Sequence, residues 1–152
     1  MGFGTVWLMG QKSEARLLFN GQVLENRPEV YAKFVTEVEL QCLRCVLHGM
    51  AKYDPTIKVH EGMFPGGTDP EWDEWYANIN EDYTKGVDFV APEFLHELSM
   101  IPADKVDGIA ASWSTMMETH REPPVENLRE LIQFAKAAIE QNMSVLSRTI
   151  GI

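Results

Sequence analysis

Two strand-like segments stand at opposite ends of the chain, and a run of helical patterns lies between them. Residues 3–9, FGTVWLM, are rich in β-branched and aromatic side chains and end at Gly10, which is typical of a strand. In residues 144–152, SVLSRTIGI, apolar and polar side chains alternate, which is also typical of a strand. Because strands that are distant in sequence can pair, we expect an α+β domain, mostly helical, with a small sheet formed by the N- and C-terminal strands.

The clearest helical pattern covers residues 28–52. Pro28 suits a first helical turn, and apolar residues recur at spacings of three and four through Cys42 and Cys45. A redox pair would need its first thiol at a helix N-terminus, and a zinc site would need four ligands. The C-x-x-C motif, lying on the apolar stripe inside this helix, therefore predicts reduced thiols buried in the core.

Residues 13–25 fit two different structures. The Asn20-Gly21 pair is typical of a two-residue hairpin turn, but Ser13 and Gly21 also suit the ends of a short helix over 14–20, which we favour. Beyond the Pro-Gly-Gly loop, further elements are predicted: short extended pieces at 56–60 and 87–90, and helices over 92–99, 102–117 and 124–142. Since no internal repeat or long linker divides the chain, we expect a single domain over residues 1–152.

The net charge of −10 is concentrated in one segment. Residues 61–97 hold ten acidic residues and one lysine, whereas the segments before and after carry net charges of only +1 and −2. Nucleic acids and anionic membranes would be repelled by such a surface, so we expect neither as a partner. A basic protein would be attracted to it. The simpler alternative is that the acidity only keeps the protein in solution.

The stretch DPEWDEWYANINEDY combines this charge with aromatic side chains. Asp69-Pro70-Glu71 predicts a helix start, and the aromatic residues that follow recur at helical spacing with Ile79. The aromatic rings either pack inward, leaving an acidic outer surface, or act as binding anchors surrounded by carboxylates. The predicted partner-binding residues are Trp72, Asp73, Glu74, Trp75, Tyr76, Glu81 and Asp82. If the rings pack inward, only the acidic surface remains available to a basic partner.

Catalytic and metal-binding patterns are incomplete. Glu93 and His96 have Glu-x-x-His spacing, but helical di-iron sites need two such motifs, and the second histidine of a zinc-protease motif is Met100 here. These two residues are weak metal candidates. His120, between Glu118 and Glu122, fits a solvated turn as well as it fits an acid–base group. Since the chain also has no P-loop, dinucleotide fingerprint or nucleophile elbow, we predict no catalytic residues and no cofactor.

Three functions remain open on these observations. The first is a small acidic protein-binding module, such as an immunity or inhibitor protein that neutralises a basic toxin or nuclease by occlusion. The second is a non-catalytic subunit of a homo-oligomer or larger assembly, and the third is a small metal-dependent enzyme using His60, Glu93, His96 or His120. No apolar run approaches the roughly 20 residues of a membrane span, and the N-terminus lacks signal-peptide features, so we expect a cytoplasmic protein.

Overall fold

A five-stranded antiparallel sheet forms the centre of the protein, as seen in a computed structural model that describes residues 2–117 and 122–151. Its strands are β1 (Phe3–Met9), β2 (Glu29–Lys33), β3 (His60–Phe64), β4 (Val87–Val90) and β5 (Val145–Gly151). Their spatial order is β2-β1-β5-β4-β3, and every neighbouring pair is antiparallel.

Helices account for most of the remaining described chain. In chain order they are α1 (Ala15–Phe19), α2 (Glu37–Leu47), α3 (Trp72–Ala77), α4 (Ile79–Asp82), α5 (Pro92–Ser99), α6 (Val106–Met116) and α7 (Val125–Glu140). Short 3₁₀ turns precede α1 and α6. None of the helices in the described ranges is long and apolar enough to cross a membrane.

The predicted composition of the sheet is wrong, although the α+β class is correct. The terminal strands β1 and β5 do pair, from Phe3 opposite Gly151 to Met9 opposite Val145. Three strands from the interior of the chain complete the sheet around this pair. A two-stranded ribbon has too little apolar surface to be stable alone, so β2 and β4 pair with its open edges and β3 extends it further.

The predicted helix over residues 28–52 is also wrong in its first third. Residues 29–33 form strand β2, and Phe34 then takes a left-handed conformation with φ of 61° that turns the chain. Helix α2 begins only at Glu37, where Thr36 and Glu39 form a reciprocal capping box. Backbone pairing of β2 with β1 thus outweighs the helical spacing of its apolar residues.

The remaining predicted elements are largely confirmed. Helix α1 ends near Gly21, which has φ of +83°, and α5 covers the predicted range. Helix α7 is followed by Asn142 in the left-handed conformation, with φ of 52°. The extended piece predicted at 56–60 is displaced, since β3 begins at His60.

Two apolar clusters cover opposite faces of the sheet. On one face, Trp7 packs with Phe94 and with residues of α2, α6 and α7, including the fully buried Trp113. On the other face, a smaller cluster joins Leu8 and Leu146 to Leu18 of α1. Because each fully buried side chain of this size contributes about 1.5–3 kcal/mol, the larger cluster dominates stability. The pair of Arg16 with Glu71 joins the start of α3 to α1, on the side of the smaller cluster.

Candidate functional site

The stretch DPEWDEWYANINEDY, residues 69–83, begins with a turn rather than a helix. The Asp69 carboxylate accepts a hydrogen bond from the Gly66 N–H at 2.5 Å, and the Asp69 carbonyl accepts one from the Trp72 N–H at 3.0 Å. Helix α3 therefore starts at Trp72, and the helix start predicted at Asp69 is wrong. The helical path is broken again at Asn78, after which α4 runs for a single turn.

The three aromatic residues of α3 divide between core and surface. Trp75 is only 6% exposed, and its Nε1 donates a hydrogen bond to the Asp82 carbonyl oxygen at 3.2 Å. Its ring also lies against Gly86, where a Cβ would come within 3.1 Å of the indole. Trp72 is partly exposed and Tyr76 is 60% exposed. The inward packing that the first alternative predicts is therefore found for Trp75 and not for Tyr76.

The two outer rings are stacked on each other. The centroids of Trp72 and Tyr76 lie 5.4 Å apart with an interplanar angle of 26°, and the Trp72 ring also contacts that of Trp75 at 5.5 Å. The buried indole thus supports Trp72, which in turn supports Tyr76. Such a stack presents an ordered aromatic face to solvent, and the face of a Trp or Tyr ring attracts Lys and Arg side chains.

Four acidic side chains lie on the same two helices as this aromatic pair. Asp73, Glu74 and Glu81 are exposed and Asp82 is partly exposed. In the described part of the chain, no Lys, Arg or His forms an ion pair with any of these four side chains. The acidic aromatic surface, as we call it, consists of Trp72, Asp73, Glu74, Tyr76, Glu81 and Asp82.

The neighbouring Glu71 behaves differently from these four acids. Its carboxylate pairs with Arg16, and this contact joins the start of α3 to helix α1. The guanidinium of Arg16 also lies over the ring of Phe64, 5.0 Å from its centroid. The segment is thus attached to the protein body through Glu71 and Trp75, which leaves the acidic aromatic surface on its outer side.

A second cluster brings together three charged or titratable side chains that sequence reasoning did not connect. His60 on β3 has a side chain only 9% exposed, with Glu37 Oε1 at 3.4 Å and Asp88 Oδ2 at 3.8 Å from its Nδ1. Neither imidazole nitrogen makes a well-aligned hydrogen bond within the described chain. The two carboxylates therefore lie close to the ring without forming hydrogen bonds of good geometry.

The pKa values of the two carboxylates in this cluster are shifted in opposite directions. Interaction with His60 is the largest influence on Glu37 and lowers its pKa, against an opposing effect of burial. Burial is the largest influence on Asp88 and raises its pKa, although His60 acts in the other direction. The Asp88 side chain is 29% exposed and that of Glu37 is 53% exposed, so burial opposes ionisation more strongly at Asp88 than at Glu37.

The cysteines lie in the core. Cys42 and Cys45 are both buried and unbridged on α2, and burial, the largest cause, raises the pKa of Cys42 to about 11. The Cys45 Sγ contacts the backbone of Asp54, with the amide nitrogen at 3.5 Å and the carbonyl oxygen at 3.7 Å. A thiol in this state is a poor nucleophile and a poor metal ligand at neutral pH.

The weak metal candidates Glu93 and His96 are both exposed on α5. His96 borders an open pocket of about 620 Å³ between α2, α5 and α6, which also includes Met100 and Ile109. Across the described residues, no three His, Cys, Asp or Glu side chains are grouped so as to hold a metal ion. His120 and Glu118 lie outside the described ranges, while Glu122 is exposed.

A bidentate ion pair between α2 and α5 was also not predicted from the sequence. Arg44 of α2 donates two hydrogen bonds to the Glu97 carboxylate of α5, at 2.9 and 3.0 Å, and His48 Nε2 lies 3.0 Å from the same carboxylate. These residues are far apart in sequence and carry no motif. Only the packing of α2 beside α5 brings them together.

Comparison with known proteins gives no relative on which to base a function. No protein-family model matches the chain, and no curated protein or solved structure matches it either. The function must therefore be inferred from the geometry of the chain itself.

Proposed function

We propose that this protein is a small cytoplasmic protein-binding module whose acidic aromatic surface covers a basic partner. A toxin or nuclease neutralised by occlusion is the class of partner that fits best. The observation that carries the proposal is the Trp72–Tyr76 stack, with Tyr76 60% exposed, on the same two helices as four carboxylates that have no cationic partner in the described chain. Binding by occlusion requires only a complementary surface and no catalytic group.

The chemistry of the surface favours arginine and lysine side chains on the partner. Carboxylates accept charge-assisted hydrogen bonds from both, and the guanidinium group can also stack on an aromatic ring. Aromatic residues held in place beforehand lose little conformational entropy on binding, and Trp and Tyr are enriched among the residues that dominate interface energies. The support of Trp72 by the buried Trp75 provides this order.

Electrostatics would act mainly on the rate of association. A concentrated negative field can raise the association rate of a basic partner by roughly 10- to 1,000-fold at low salt. The same field repels the phosphates of nucleic acids and anionic lipids, so the proposed partner is a protein. Among the groups considered for a metal-dependent enzyme, Glu93 and His96 are exposed on α5, whereas His60 is buried beside β4, so they do not form one site.

Affinity capture with three baits tests the proposal. The native chain is compared with a surface variant, Asp73→Lys, Glu74→Lys, Glu81→Lys and Asp82→Lys. A control variant carries the same change at exposed acids elsewhere: Glu93→Lys, Asp104→Lys, Glu130→Lys and Glu140→Lys. Both variants move the net charge from −10 to −2, so any difference between them reflects position and not total charge.

We expect the native and control baits to capture the same basic protein and the surface variant to lose it. Two further variants, Trp72→Ala and Tyr76→Ala, would then weaken binding of that protein without altering the fold. Equal capture by the surface and control variants would contradict the proposal, because it would show that the charged surface does not select the partner. A self-associating bait in light scattering would favour the alternative of a homo-oligomeric subunit.

A further inference from the structure

Arg148 is a partly buried cation that has no counter-ion among the described residues. It lies on β5 directly opposite Val6 of β1, two residues after Leu146, and therefore on the same face of the sheet as Leu146 and helix α1. The residue is partly buried, and its Nε is buried with no hydrogen-bond partner. Within residues 2–117 and 122–151, no carboxylate pairs with its guanidinium.

The other arginines of the described chain all have such partners. They form ion pairs as Arg16 with Glu71, Arg27 with Glu14, Arg44 with Glu97, and Arg129 with Asp107 and Glu126. Burial alone lowers the pKa of Arg148, since no charged neighbour offsets it. A guanidinium whose Nε is withdrawn from water without a counter-charge is destabilising, so its position beside an open pocket favours the binding of an anion there.

An open pocket of about 450 Å³ lies at this residue. Lys85 and Thr84 line one part of it, Asn20 lines another, and Leu18 and Phe19 of α1 form an apolar wall. No carboxylate lines the pocket. Lys85 is the single lysine of the strongly acidic segment 61–97, and its Nζ lies 4.5 Å from the centroid of the Phe19 ring. Two cations therefore converge on one cavity in a chain of net charge −10.

We infer that this pocket binds a small molecule that carries an oxyanion group, either a phosphate or a carboxylate. The guanidinium of Arg148 supplies donors suited to two oxygens of such a group, and the Lys85 ammonium adds a second positive charge. The Thr84 hydroxyl and the Asn20 side chain provide neutral polar groups. The apolar part of the ligand lies against Leu18 and Phe19, because the cavity is larger than a single phosphate ion requires.

Titration of the native chain with inorganic phosphate and, separately, with succinate tests the inference and separates the two chemistries. Isothermal titration at constant ionic strength, with the melting temperature as a second readout, would show saturable binding of at least one of them. Lys85→Gln removes one charge at an exposed position and is expected to weaken binding roughly tenfold or more. Lys136→Gln, an equal charge change at an exposed position on α7, is the matched control and leaves binding unchanged.

Arg148→Met is the stronger test, because methionine keeps the apolar stem and removes the buried charge. We expect this variant to lose binding while melting at the same or a higher temperature than the native chain in anion-free buffer. The inference is overturned if neither anion binds the native chain, or if Lys136→Gln weakens binding as much as Lys85→Gln does. Retained binding in a folded Arg148→Met variant overturns it as well.

Discussion

The Trp75 indole Nε1 donates a hydrogen bond to the carbonyl oxygen of Asp82, seven residues further along the chain. This bond crosses the break at Asn78 and holds α3 and α4 together as one unit. The Trp75 indole also packs on Gly86, and this contact attaches the inner side of the unit to the protein body. Trp72 and Tyr76 are left on the outer side, where they can meet a partner.

Replacing Trp75 is expected to damage stability far more than replacing Tyr76. Trp75→Ala removes a buried ring and its hydrogen bond, which costs about 3–5 kcal/mol of unfolding free energy. Tyr76→Ala changes an exposed side chain and should cost less than about 1 kcal/mol. Urea denaturation of the two variants measures both quantities. Equal losses would show that Tyr76 is structural and that the division of the aromatic stripe is incorrect.

The ion pair between Arg44 and Glu97 predicts a loss of stability in acid. Burial acts to raise the pKa of Glu97, but hydrogen bonds from Arg44 and His48 outweigh it and leave that pKa below the usual 4.5. A lowered pKa stabilises the fold above the unfolded-state value and ceases to do so as the pH falls through the folded-state value.

Glu97→Gln should therefore lower the unfolding free energy by about 1–2 kcal/mol at pH 7. The difference from the native chain should shrink as the pH falls below 4.5. Denaturant titrations at several pH values measure it, and Glu93→Gln, on the exposed side of the same helix, is the control. A deficit that persists unchanged in acid would mean that the ionised carboxylate contributes nothing.

The cluster around His60 predicts stability changes of opposite sign at its two carboxylates. Asp88 has a raised pKa, so the fold loses stability as the pH rises and this residue ionises. Asp88→Asn is expected to raise the melting temperature at pH 7. This gain should vanish when the pH falls below 3.8, the usual pKa of an aspartate side chain. Glu37 has a lowered pKa, and Glu37→Gln should lower the melting temperature at pH 7. Shifts of the same sign in the two variants would contradict this arrangement.

The two cysteines should be unreactive in the folded protein. Since the pKa of Cys42 is about 11 and Cys45 is fully buried, little thiolate is accessible at pH 8. A thiol-specific chromogenic reagent should therefore label neither residue quickly in native buffer and should label both in guanidinium chloride. Rapid native labelling would place at least one thiol at the surface.

Local patterns predicted the elements whose stability is local. Helix α5 and helix α7 carry strong helical periodicity, and the chain folds as that periodicity indicates. Strand β2 shows the limit of such patterns, because the apolar residues between Val30 and Val38 have helical spacing but the backbone from Glu29 to Lys33 pairs with β1. This pairing depends on a strand more than 20 residues away, and no local pattern reveals it.

The candidate site was predictable to the same extent. Aromatic and acidic residues close together in sequence had to share one small surface, but the sequence could not show that only Trp75 enters the core. The His60 cluster combines residues from α2, β3 and β4, and it forms only because β3 pairs with β4 beside the start of α2. The pocket at Arg148 likewise depends on how β5 and α1 pack.

The association rate of the captured basic partner, measured by stopped-flow fluorescence as a function of ionic strength, tests the central claim most directly. Between about 0.01 and 1 M salt, the native and control proteins should associate progressively more slowly as the charges are screened. The surface variant should associate at least about tenfold more slowly at low salt, with little further decrease at high salt. Identical rates and salt dependences for the surface and control variants would contradict the acidic aromatic surface as the binding site.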